Sequence, residues 1–304
     1  MSLLLRCPRC LDREPEVRLG GALLDDADGD APRCPAGHVY PRRDGFLTLS
    51  SAEQAAAWDA WEAGIARDRA AAGVGRAPLH LPSLPESAAA SDPEWAERAA
   101  DLRWLRRQLA RLPERPRTAI DVGSFNGWLC AALRRDGLEV TGLDLFRDEA
   151  FGLGAQRQHD ERWRGIQLDV CRPELVASQV DLVVLDHGLH FLPDPIDLAL
   201  AWSRRVAPGG MLAILGLRVF ADPRDRRAEV EALRQRAAAQ GVELFPLGGP
   251  GLLTRGDADR LRASGVRLMP ALERPLGQLR ARLQPRRPRS YRGLWLANPR
   301  ARQR

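Results

Sequence analysis

A chain of 304 residues with a hydrophobic fraction of 44% can bury the core of one medium domain plus a smaller unit. No run of eighteen apolar residues occurs, and the Met1 end lacks an apolar signal core with a cleavage site, so a soluble, cytoplasmic protein without membrane spans is expected. The positive charge is all Arg, since there is no Lys, and it is uneven. From Arg274 onward there are ten Arg and no acid, against 36 Arg and 40 acids before it, so the formal +6 belongs to the tail.

Residues 1–50 read as a separate unit. Cys7-Pro-Arg-Cys10 is a thiolate knuckle, and Cys34-Pro-Ala-Gly-His38 adds a third thiolate and an imidazole. Four ligands of the Cys₃His type suit a closed tetrahedral zinc site. So short a piece buries too little apolar surface to fold unaided, and metal binding would supply the missing stability. A disulfide competes but lacks a secretion signal, and a redox pair lacks a βαβ context. With Tyr40-Pro41 and Asp44-Gly45-Phe46-Leu47, the pattern resembles the zinc ribbon at the head of bacterial ribosomal-RNA guanine methyltransferases, and ribbons fused to methyltransferases of unassigned substrate. With every position filled, such a zinc is structural.

Residues 51–117 read as a helical linker. Ser51 to Arg69 has helical spacing with Trp58, Trp61 and Ile65 on one face. Gly73 to Pro85 is rich in Gly and Pro and predicts a mobile loop. Asp92-Pro93-Glu94 predicts a capped helix start, and Pro113 ends that helix after Leu112.

Thr118 to Asp144 organises the rest: a β-branched run to Val122, a glycine turn over Gly123–Gly127, a helix from Trp128 to Arg135 stopped by Gly137, and a second strand from Leu138 to Leu143. Such a crossover leaves the turn and the helix amino end at the carboxyl edge of a parallel sheet, where doubly wound folds bind ligands. Asp144 stands where a carboxylate accepts from ribose hydroxyls. The GxGxxG dinucleotide pattern fails at Phe125 and Trp128, and a P-loop fails for want of Lys. Asp121, Gly123 and Gly127 fit acid-x-Gly-x-x-x-Gly instead. This resembles the first motif of the class I S-adenosylmethionine-dependent methyltransferases, D/E-x-G-x-G-x-G, with Phe125 where that family usually has Gly.

Further matches follow in order. Gly165 to Val170 predicts a third strand, with Asp169 either beside an adenine or capping the residues after it. Val180 to Leu185 predicts a central strand buried on both faces. It opens onto Asp186-His187-Gly188-Leu189-His190-Phe191-Leu192-Pro193-Asp194-Pro195, similar to the LHHLPDP loop of small-molecule and quinone methyltransferases. A helix over Asp197–Val206, the Ala207-Pro208-Gly209-Gly210 turn and a strand over Met211–Leu217 come next, as in that family. An insertion over 218–250, a further helix begun by Leu253-Thr254 and running over Asp257–Ala263, and strands at Val266–Met269 and Tyr291–Leu296 complete the chain.

The resemblance implies a Rossmann-like seven-stranded α/β core over 118–304, with a zinc ribbon ahead of it. It implies S-adenosylmethionine held by Asp121, Gly123, Ser124, Phe125, Gly127, Asp144, Leu145, Asp169, Val170 and Asp186. His187 or His190 would be the base, because imidazole titrates near neutral pH. Zinc would lie on Cys7, Cys10, Cys34 and His38. A small-molecule acceptor, with an O, N or C nucleophile, is expected ahead of ribosomal RNA, for which the ribbon and the Arg-rich tail speak. A scaffold with a decayed pocket is the non-enzyme alternative, supported by Phe125.

Overall fold

The computed structural model describes residues 3–13, 23–24, 31–71, 81–239, 241–243, 247–271, 279 and 283–297, with backbone alone at 23–24 and 68–71. Most of the expected loop from Gly73 and much of the tail from Arg274 lie outside the described residues.

In chain order the elements are β1 (Leu5–Arg6), α1 (Pro8–Arg13), β2 (Leu23–Leu24), β3 (Arg42–Arg43), β4 (Phe46–Leu49), α2 (Ala52–Ala71), α3 (Glu86–Ala89), α4 (Pro93–Leu109), β5 (Thr118–Val122), α5 (Trp128–Arg135), β6 (Glu139–Asp144) and β7 (Arg164–Leu168). They continue with β8 (Val180–Asp186), α6 (Pro195–Ser203), β9 (Val206–Phe220), α7 (Arg224–Ala239), β10 (Leu253–Thr254), α8 (Arg255–Ala263), β11 (Arg267–Pro270) and β12 (Arg289–Leu296).

Seven strands run in the order β7-β6-β5-β8-β9-β12-β11, the first five parallel and β12 antiparallel to both neighbours. This is the expected Rossmann-like α/β sheet, with its change of winding direction at β5 and β8. Strand alternation splits the core. Ile120, Val122, Val183, Leu185, Leu212 and Ile214 face one apolar cluster with α6 and α8, while Ala119, Leu182, Val184, Met211 and Ala213 face another with α4 and α5. Asp92 caps α4 as expected, accepting from the Glu94 N–H at 2.7 Å with Pro93 in the first turn.

Three readings change. The head does not stand apart: β4 adds to the sheet in parallel beside β7, pairing Leu47 with Ile166 and Leu49 with Leu168. Its four residues are all buried, Phe46 on one core face and Leu47 and Leu49 on the other, so this strand needs cover on both sides. Leu5, Cys7, Cys34 and Tyr40 join the same apolar cluster. Second, the Ala207–Gly210 turn is absorbed into the start of β9, where the register against β8 shifts between Val180 and Leu182 and Gly209 takes φ +84°. Third, Leu253-Thr254 is a short strand beside β9 rather than the start of the helix, and Thr254 caps α8 through a reciprocal bond with Asp257.

Candidate active site

The chain turns sharply where β5 ends. Gly123 and Gly127 both sit at φ +72°, and the intervening Phe125 takes φ +52°, a strained position for a bulky residue. What holds it is Asp144 at the end of β6, whose carboxylate accepts from the Phe125 N–H at 2.7 Å and the Phe146 N–H at 3.0 Å. A carboxylate offers about four acceptor positions, so two remain. Burial raises the Asp144 carboxyl to about 6, against the pull of these N–H donors.

Above the turn lies a cavity of about 850 Å³. Gly123, Phe125, Asp144, Leu145, Val170, Asp186, His187 and His190 line it together. The Phe125 ring stacks on Phe151 at 5.5 Å along the wall instead of filling the crevice.

Four other predicted contacts lie elsewhere. Asp121 is 1% exposed beneath the turn, where it accepts from the Cys130 thiol at 3.3 Å. The Ser124 side chain points inward, its Oγ buried against the α-carbon of Gly142. Gly127 serves packing: a Cβ there would stand 2.1 Å from the Trp163 ring. Asp169 accepts from the Cys171 N–H at 2.9 Å in a local side-chain turn that does not cap the short helix after it, and only the neighbouring Val170 reaches the cavity.

The two histidines differ in state. His187, at φ +52°, packs its ring over Gly216 and donates from Nε2 to Asp101 at 2.9 Å. Asp101 in turn accepts from Arg292 at 2.6 Å. Burial would lower the His187 pKa, but the Asp186 charge and the bond to Asp101 outweigh it and favour the imidazolium. His190 is pushed down to about 4 by burial and then by the charges of Arg226 and Arg218. It is a neutral imidazole at pH 7, able to accept a proton.

Sequence reasoning overlooked Arg98 on α4, which lines the cavity with its Nε buried and without a hydrogen-bond partner. Asp186 is the counterpart: Oδ2 accepts from Trp128 Nε1 at 3.2 Å, while Oδ1 is buried without a hydrogen bond, 3.8 Å from His187 Nε2. The helical spacing that placed Trp61 and Ile65 on one face of α2 was the visible signal for that wall, since both reach the cavity. Arg218, Phe220, Arg226, Arg286 and Arg287 gave no local signal, because two distant chain segments bring them together.

Far from the cavity the head draws its four candidate ligands together. His38 Nδ1 stands 3.4 Å from Cys7 Sγ, 3.5 Å from Cys10 Sγ and 3.4 Å from Cys34 Sγ, and Cys10 and Cys34 are 3.8 Å apart. A tetrahedron with metal–sulfur bonds of about 2.3 Å and a metal–nitrogen bond of about 2.0 Å has edges of about 3.8 and 3.6 Å. The four side chains fit that figure.

Residues 120–214, which run from the end of β5 through the glycine turn and the histidine loop into β9, match the model of the family described as "Methyltransferase domain". This stretch is similar to that family. A curated ubiquinone biosynthesis O-methyltransferase from Paracidovorax citrulli is 32% identical over 105 residues, 32% of this chain and 42% of that protein. The chain therefore spans less than half of the curated relative it matches. Among solved structures, the plantazolicin methyltransferase BpumL in complex with a triazolic desmethylPZN analog and SAH aligns at 14% identity over 81% of this chain and 97% of that one, with a TM-score of 0.46. An O-methyltransferase family protein from Burkholderia thailandensis aligns at 19% identity over 95% of this chain and 82% of that one, with a TM-score of 0.43. The matched residues supply the floor of the cavity, while α2, α4 and the segments after β9 supply its walls and cover.

Proposed function

We propose that this protein transfers a methyl group from S-adenosylmethionine to an oxygen, nitrogen or carbon nucleophile of a small molecule, and that Cys7, Cys10, Cys34 and His38 hold a structural zinc. The observation that carries the first part is the cavity at the ends of β5, β6 and β8, whose lining includes two buried donors, Arg98 Nε and Trp61 Nε1, and one buried acceptor, Asp186 Oδ1, without hydrogen-bond partners. An orphaned guanidinium N–H on Arg98 and an orphaned carboxylate oxygen on Asp186 match a carboxylate and an ammonium, the two ends of an α-amino acid. S-adenosylmethionine carries such an end and supplies an electrophilic sulfonium methyl. Asp144 keeps two acceptor positions for ribose hydroxyls, and Leu145 and Val170 give the adenine apolar flanks. Gly123 presents backbone with nothing within 4 Å of a Cβ position, so a ligand can approach closely.

The protein would act mainly by placing two reactants in one water-poor cavity. His190, neutral and on the cavity wall, would take the proton from a hydroxyl or amine nucleophile. His187 is engaged by Asp101 and would orient the loop. The curated O-methyltransferase relatives favour an oxygen nucleophile. Arg286 and Arg287, which belong to the basic tail that spoke for RNA, line the cavity. Calorimetric titration with S-adenosylhomocysteine tests the reading: saturable binding at one site supports it, and no heat up to millimolar ligand overturns it.

A further inference from the structure

Two parts of the chain form the roof of the cavity: residues of 218–239, 241–243 and 247–252, and the stretch before β12 that includes Arg286, Arg287 and Pro288. They are joined to each other where Asp222 N–H donates to the Pro285 carbonyl at 2.9 Å and Arg286 pairs with Asp225 at 3.3 Å. They are joined to the histidine loop where Gly251 N–H donates to the His190 carbonyl at 2.9 Å. Charge is sorted between floor and roof. The strand ends below contribute Asp144 and Asp186; the roof contributes Arg218, Arg226, Arg286 and Arg287 against one acid, Glu229. Arg218 uses Nη2 to hold Glu97 at 2.9 Å, and Arg226 uses Nη1 to hold Glu229 at 3.2 Å. Each guanidinium has five N–H donors in a planar fork, so both keep donors for a further partner. Phe191, Phe220, Leu247 and Leu252 supply apolar surface beside them.

We propose that this roof is an oxyanion subsite, and that the methyl acceptor is a small apolar or aromatic molecule carrying a carboxylate. The inference rests on the methyltransferase reading for the word acceptor, but the subsite itself rests on the roof alone. Floor and roof then divide the work. The acids below suit hydroxyls and a positively charged ligand, the forked cations above suit a carboxylate, and the neutral His190 lies between two zones of opposite sign. The depressed basicity of His190 follows first from its burial and then from the same cationic surroundings. A carboxylate docked on Arg226 and Arg218 would partly cancel that effect and make His190 a better proton acceptor once the acceptor is bound.

The test uses 2-naphthoate and its uncharged isostere 2-naphthamide, titrated into the full-length protein with saturating S-adenosylhomocysteine. The carboxylate should bind at least about tenfold tighter than the amide. That ratio should shrink to less than about threefold in Arg226→Gln and in Arg218→Gln, and in the unmodified protein at high salt. Melting curves of both variants confirm that they fold, and Arg226→Gln leaves the buried Glu97 paired if Arg218→Gln does not fold. Equal affinity for the two probes, no binding of the carboxylate, or a ratio unchanged by the substitutions overturns the proposal. A preference for naphthoate that persists without any binding of S-adenosylhomocysteine sustains the subsite and overturns the cofactor reading.

Discussion

Asp121 and Asp144 sit on neighbouring strands, 1% and 6% exposed, and the fold uses them in opposite ways. Asp144 receives two backbone N–H groups and faces the cavity; Asp121 receives one thiol and faces the interior. In the proposed role of Asp144 the ionised form would accept the ribose hydroxyls, so affinity for S-adenosylhomocysteine should weaken as pH falls through about 6, where this carboxyl gains its proton. Asp144→Asn should bind about 10- to 100-fold more weakly, the loss of a charge-assisted bond, and its affinity should be flat across that range in calorimetry. For Asp121, burial and then the Asp186 charge raise the pKa well above the carboxylate range. A group whose folded pKa is raised lowers stability as pH climbs above its unfolded value of about 3.9. Asp121→Asn removes that cost and can still accept from Cys130. Its melting temperature should exceed that of the unmodified chain between pH 5 and 8, and the difference should close near pH 4. The sequence placed both acids along the chain, but Asp121 lies opposite Gly142 and so shares a sheet face with Asp144; what separates a cavity contact from a buried support is that Asp144 comes two residues later, beyond the last residue paired with β5.

The glycine turn shows how spacing identifies an element without assigning its parts. Gly123 and Gly127 were alike as motif positions, and both adopt φ +72°. Their surroundings differ: open space beside Gly123, the Trp163 ring 2.1 Å from where a Cβ would lie at Gly127. Gly127→Ala should therefore lower stability by about 2 kcal/mol or more, read as a drop of several degrees in melting temperature. Gly123→Ala should cost about 1 kcal/mol from backbone strain, and chiefly weaken binding of S-adenosylhomocysteine. Trp163 lies some forty residues beyond the turn in sequence, in an irregular segment before β7, so no local pattern could have revealed that contact. Elements with strong periodicity were legible. The strand order, the capped α4 and the paired apolar faces of β5 and β8 follow from residues that admit few other arrangements. The roof was not, because its arginines are ordinary surface residues until α7 and the approach to β12 are folded over one cavity.

At the scale of the molecule, the head is continuous with the core. Arg147, just after β6, bridges Asp44 in the head and Asp59 on α2, and Glu62 on α2 accepts the backbone N–H groups of Arg147 and Asp148. Trp61, on the same helix, meets Phe146 edge-on at 4.6 Å and reaches the cavity wall. The head is therefore mechanically tied to the wall of the cavity, and a metal held there would support both. Metal analysis should find about one zinc per chain. Chelation should lower the melting temperature and weaken binding of S-adenosylhomocysteine together. Loss of metal without either change would show that the head stands on its own packing. The thiolate spacing was readable from the sequence; the attachment was not, since a four-residue apolar strand reads alike whether it pairs within a small ribbon or with a distant sheet.

The pairing of β4 with β7 has one more effect. Without it, β7 would end the sheet with a row of unused amide and carbonyl groups, an invitation for another chain to polymerise along that side. With it, the outermost strand on that flank is the two-residue β3, made of Arg42 and Arg43, too short and too strongly charged to template such growth. The protein thus carries its own guard against strand-by-strand aggregation, and a metal on the proposed three thiolates and one imidazole would fasten that guard.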